Sequence, residues 1–74
     1  MDYAYDSIVG RQIRAAREAR GMTQEQLAAQ LQTRDCDVTR SAVAKMEVGL
    51  RHIYAVELRA MRDILNVPYE TLLP

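Results

Sequence analysis

Apolar residues recur along this chain every three or four positions, with almost no strand-like alternation, and the pattern divides into successive amphipathic helices. Ile8, Val9, Ile13, Ala16 and Ala19 or Arg20 form the first stripe, with Asp6 or Ser7 as its cap. Gly21 fits the left-handed position past that helix. Thr23, with Gln26 three residues on, is a capping-box pattern that opens a second helix, buried through Leu27, Ala28 and Leu31. Residues 32–38 are polar and read as a loop from which Cys36 and Val38 tuck into the core. Thr39 opens a third helix, apolar at Val43 and Met46, and Gly49 closes it. A fourth helix runs over about 54–65, with Val56, Leu58 or Ala60, Met61, Ile64 and Leu65 inward and Asn66 at its C-terminal cap. Pro68 suits the first position of a last short helix whose apolar residues are Tyr69, Leu72 and Leu73.

The composition agrees with an all-α fold. The 74 residues include no Trp and no Phe, so the core must be built from Leu, Ile, Val, Met and Ala, with Tyr at its margins. That length predicts one domain, residues 7–74, behind an N-terminal tail, residues 1–6, in which Tyr3 and Tyr5 can meet a partner. No apolar run reaches the ~18 residues of a membrane span, and the polar, acidic N-terminus does not read as a signal peptide. The single cysteine, Cys36, has no internal partner for a disulfide, which suits a reducing, cytoplasmic setting.

Ten basic and ten acidic residues give zero net charge, but they are segregated. Between Arg11 and His52 there are eight basic residues against five acidic, a surplus of three; the remainder has two against five, a deficit of three. A locally basic surface can therefore meet phosphates despite the overall neutrality. Arg11, Arg14, Arg17 and Arg20 recur every three residues and read equally as a solvated basic face.

The third helix carries the most specific signal. Opposite Val43 and Met46 lie Arg40, Ser41, Ala44 and Lys45, the pattern of a helix that packs one side on a core and offers the other to a DNA groove. Enzymatic chemistry has little support. One His, one Cys, no metal-ligand cluster and no glycine-rich phosphate loop predict no catalytic residue, metal or cofactor, and Ser41 has no base beside it.

Three pieces, GRQIRAAREARGMTQEQLAAQL, TRSAVAKMEVG and ELRAMRDILNVPYETLLP, resemble in this order the lambda-repressor-like helix-turn-helix family, also called the Cro or XRE family. The resemblance covers nearly the whole chain after the first seven residues. It implies a compact five-helix domain that binds double-stranded DNA, usually as a dimer, with helices two and three as the helix-turn-helix. Arg40, Ser41, Ala44 and Lys45 match base-reading positions of a recognition helix at about 39–48. Thr23, Gln24, Thr39, Arg51 and His52 match positions that meet phosphates. Arg17 and Glu47 match a structural salt bridge between helices one and three.

Two departures stand out. The link between helices two and three is several residues longer than is usual, with the excess at residues 33–37, and it brings Asp35 and Asp37 towards the DNA side. There they repel phosphates unless they cap helix three or pair with Arg34. Val48 stands where many relatives carry a polar, phosphate-bonding residue, which shifts the expected anchoring to Arg51. The expected function is a sequence-specific transcriptional regulator that binds a palindromic operator as a homodimer. The alternative is a protein-interaction module or antitoxin-like component on the same scaffold, with a protein partner. Residues 67–73 are expected either to form the dimer interface or to close the core under helices one and four.

Overall fold

A computed structural model describes residues 4–74 and contains five helices: α1 (Ala4–Ala19), α2 (Gln24–Gln32), α3 (Arg40–Glu47), α4 (Ala55–Leu65) and α5 (Tyr69–Leu72). There is no strand among the described residues. α1 packs chiefly on α3, with α5 and α4 also against it, while α2 sits on α3 and α4. The core that they enclose is aliphatic: Ile13, Leu27, Leu31, Val38, Val43, Met46, Met61, Leu65 and Leu72 are all fully buried. Tertiary burial of this kind, more than propensity, holds helices as short as α2 and α3.

The helix ends follow from local chemistry. Thr23 Oγ1 accepts from the Gln26 N–H at 3.0 Å, and Gln26 Oε1 accepts from the Thr23 N–H at 2.9 Å, closing the capping box. Thr39 Oγ1 accepts from the Ala42 N–H at 3.1 Å. Gly21 and Gly49 have φ of 67° and 76°, the left-handed turns expected past α1 and α3, and Asn66 ends α4 with φ 55°.

Several sequence expectations need correction. α1 begins at Ala4, so Tyr5 and Asp6 lie inside the helix, and neither Asp6 nor Ser7 is its cap. Tyr3 lies outside the described residues. Ile8 and Val56 face solvent, because the stripes of α1 and α4 that meet the core run through Val9–Ile13–Ala16 and Ala60–Met61–Ile64–Leu65. Pro68 precedes α5 as its N-cap. Leu72 is fully buried, so α5 closes the core, and only Tyr69 and Leu73 of that segment keep sizeable apolar surface outside.

The lengthened α2–α3 connection, residues 33–39, is an ordered turn. The Arg34, Asp35 and Cys36 N–H groups donate to the Leu31, Gln32 and Leu31 carbonyls, and Asp35 takes the left-handed conformation (φ 62°) that reverses the chain. Cys36 and Val38 then enter the core, as expected, and Gln32 Nε2 donates to the Val38 carbonyl at 3.1 Å. Thr39 caps α3, not Asp37, and no ion pair joins Asp35 or Asp37 to Arg34 among the described residues.

Gly10 sets how closely α1 approaches α3. A Cβ there would run into the Met46 carbonyl oxygen and stand 3.1 Å from Glu47 Cα. In an open helix, Gly→Ala gains up to ~1 kcal/mol. At this crossing the clash is with backbone, which cannot rotate aside, so Gly10→Ala is expected to destabilise by about 1–3 kcal/mol, a fall in Tm of roughly 5–20 °C. Thermal unfolding of the variant checks this, and a raised Tm would show that the two helices are free to separate.

Candidate nucleic-acid interface

The third helix presents the two faces that its sequence implies. Val43, Met46 and Glu47 are buried, Arg40, Ser41 and Lys45 are exposed, and Ala44 is half-buried between them. Thr39 is exposed at the N-terminus of this helix. Arg40 and Lys45 make no ion pair among the described residues, so their charges are available to a ligand. Val48 continues the outward stripe one turn past Ala44 and is mostly exposed.

The N-terminus of α2 lies beside this face, since Thr23, Gln24, Glu25 and Arg40 line one shallow depression. A helix leaves its first N–H groups without partners. Here the capping box satisfies those of Thr23 and Gln26, which leaves the Gln24 and Glu25 N–H groups at the positive end of the helix dipole. Such an end favours an anion.

Beneath the surface, Arg17 Nε and Nη2 donate to Glu47 Oε2 and Oε1 at 2.7 and 3.0 Å, a two-pronged pair whose side chains are 10% and 1% exposed. Arg17 Nη1 also donates to the Met22 carbonyl at 2.7 Å, which ties the α1–α2 turn to α3. The hydrogen bonds that Arg17 donates to Glu47, with the charge of that carboxylate, outweigh burial and hold the Arg17 guanidinium above its ordinary pKa. Gln24 joins the same cluster, its Nε2 donating to Glu47 Oε1 at 3.0 Å. The family resemblance implied the Arg17–Glu47 pair but carried no sign of this third member.

Arg51 and His52 follow α3 and are half-buried. Arg51 Nη1 and Nη2 donate to Glu57 Oε1 and Oε2 at 2.9 and 2.8 Å, and Nη1 also donates to the His52 carbonyl. His52 Nδ1 lies 3.2 Å from Asp6 Oδ2, and its ring meets Tyr54 edge-on at 4.9 Å. In the free protein both side chains therefore brace the α3–α4 connection against α4 and α1. Glu57 was missing from the sequence reading. Its signal was its place three residues past Tyr54, the N-cap of α4, where its Oε1 accepts from the Tyr54 N–H at 2.9 Å, but Tyr54 lacks the short hydroxyl side chain that marks a capping box.

With this geometry in view, the comparisons with known proteins agree. Residues 13–72 match the helix-turn-helix family model, and the chain belongs to that family, in its Cro/C1-type branch. It is also similar to a protein of known structure, described as the DNA-binding domain of BldD. The two superpose with a TM-score of 0.81 at 27% identity, covering 100% of both chains. No curated protein matches the chain. The family and the fold identify a DNA-binding regulator. No helix among the described residues is long and apolar enough to cross a membrane.

Two stability measurements follow. Arg17→Ala strands Glu47 in the core and is expected to cost about 3–5 kcal/mol. Arg14→Ala removes only an exposed pair with Glu18, worth about 0.3–0.5 kcal/mol. Equal melting temperatures for the two variants would contradict the structural role of Arg17.

The second concerns pH. Burial alone would push the Glu57 carboxyl up, but hydrogen bonds from Arg51 and the Tyr54 N–H, with the nearby charges of Arg51 and His52, hold it below its ordinary value of 4.5. The folded state then binds the proton more weakly than the unfolded chain. The resulting stability is complete above about pH 4.5 and is lost as pH falls through the depressed folded value. Glu57→Gln is expected to be less stable than wild type at neutral pH, with the gap narrowing below pH 4.5. A constant gap would mean that Glu57 acts through packing alone.

Proposed function

We propose that this chain is a sequence-specific transcriptional regulator that inserts α3 into the major groove of double-stranded DNA. The observation that carries the reading is the outward face of α3, where Arg40 and Lys45 stand exposed and unpaired beside the anion-favouring start of α2. Arg40 has the donor geometry to address guanine O6 and N7, Ser41 and Lys45 reach neighbouring edges or a phosphate, and Ala44 offers a small apolar contact. Thr23, Gln24 and Thr39 serve as backbone anchors at the two helix N-termini. Arg51 and His52, half-buried on the segment after α3, contribute further phosphate contacts where they exchange Glu57 and Asp6 for DNA.

A homodimer on a palindromic operator completes the proposal. Two copies present their α3 helices to half-sites about one helical turn, ~34 Å, apart. With Leu72 buried in the core, the exposed Tyr69 and Leu73 are what residues 67–73 offer to a second copy. No observation on the molecule favours the antitoxin-like alternative over this one.

Selection of bound duplexes from a random pool tests the reading. Wild type is expected to enrich a two-fold symmetric motif, and folded Arg40→Ala/Lys45→Ala to lose it. Removing two cations should also make the dependence of log affinity on log salt shallower, by up to about two phosphates' worth. If nothing is enriched, or both proteins enrich the same sequences, α3 is not a reading head.

A further inference from the structure

We infer that Glu47 is a positioning residue for DNA binding: its buried carboxylate orients the Gln24 side chain so that α2 meets a phosphate with a preset amide donor. The inference rests on the DNA-binding reading above and deepens it at one site. Glu47 is fixed first, because Arg17 takes one hydrogen bond to each of its oxygens, at 2.7 and 3.0 Å. An ionised carboxylate only accepts, so the Gln24 group facing it must be the NH2 and not the carbonyl. That NH2 has two hydrogens. One is held on Glu47 Oε1 at 3.0 Å, and the other remains for a ligand.

The location gives the second hydrogen its use. Gln24 is the first residue of α2, half-buried in the depression that it shares with Thr23, Glu25 and Arg40. An anion drawn there by the free Gln24 and Glu25 N–H groups finds a side-chain donor of the same depression already held in place by Glu47. A free glutamine on the surface would lose rotamer entropy on making the same contact. The ion pair that joins α1 to α3 thus has a second task, with Gln24 as the link between the core and the phosphate.

A double-mutant cycle tests this. DNA affinity is measured on the duplex that wild type selects, for wild type, Gln24→Leu, Arg17→Met/Glu47→Met and the combined triple variant. Removing both charges strands neither. Gln24→Leu is expected to weaken binding about ten- to a hundredfold, as for one hydrogen bond to a charged acceptor, with the salt slope unchanged because no cation is lost. Arg17→Met/Glu47→Met should weaken binding by a similar factor, and the triple variant no further.

If the two effects multiply instead, Glu47 serves the fold alone and the inference falls. It falls equally if Gln24→Leu is neutral while wild type binds. Wild type that binds no duplex overturns the regulator reading itself, a result distinct from either. Side-chain 15N relaxation of the free wild-type protein provides a test that no variant's misfolding can spoil. The Gln24 NH2 should be about as rigid as the backbone, and a mobile NH2 there would overturn the preset orientation.

Discussion

The arrangement of this domain depends on one contact, the crossing of α1 and α3. Gly10 removes the side chain that would keep the two backbones apart, and one helical stretch further along Arg17 reaches across to Glu47. The two devices need each other. Without the close approach the guanidinium could not meet the carboxylate in a two-pronged geometry, and without the pair the approach would bury two uncompensated charges. The third donor of Arg17 fixes the Met22 carbonyl, so the start of α2 is referenced to the same crossing. The orientation of the helix-turn-helix is thereby set from beneath, by α1.

A second brace controls the other end of α3. Arg51, Glu57, His52, Asp6 and Tyr54 link the α3–α4 connection to both α4 and the first turn of α1. The basic residue there is engaged by a buried carboxylate. The basic surplus read along the chain therefore overstates what a polyanion would meet, because Arg17 and Arg51 are paired with buried carboxylates, while on α3 itself Arg40 and Lys45 stay exposed and unpaired. Charge counting along a sequence cannot separate cations that brace a fold from cations that face solvent, whereas partner geometry does.

Much of the fold was legible because it rests on local rules. The Thr23–Gln26 capping box, the threonine that opens α3, the left-handed Gly21, Gly49 and Asn66, and the apolar stripe of α3 all express interactions within a few residues. The misreadings arose where long-range packing chose between locally equivalent options. Ile8 and Val56 are as hydrophobic as their buried neighbours, and only the placement of the other helices turns them outward. Leu72 was open to two readings until α5 was seen against α1. At the candidate interface, the outward positions of α3 followed from helical periodicity, and the Arg17–Glu47 pair from family resemblance. The bond from Gln24 to Glu47 spans 23 positions and has no sequence signature, and the left-handed turn at Asp35 is carried by a residue type that rarely announces it.

The connection between α2 and α3 has a wider bearing. In a tight helix-turn-helix the brevity of the turn fixes the angle between the helices. Here the chain takes a longer route and regains that constraint by sinking Cys36 and Val38 into the core and closing the turn on the Leu31 and Gln32 carbonyls. The second helix of the motif is thus suspended between two anchored points, with Val43 and Met46 beneath it. The residues that point outwards from that helix carry almost none of the folding free energy, so this part of the molecule is free to vary. Mutation can rewrite the outward letters of α3 without disturbing the frame that holds them, which leaves such a domain open to acquiring new targets in evolution.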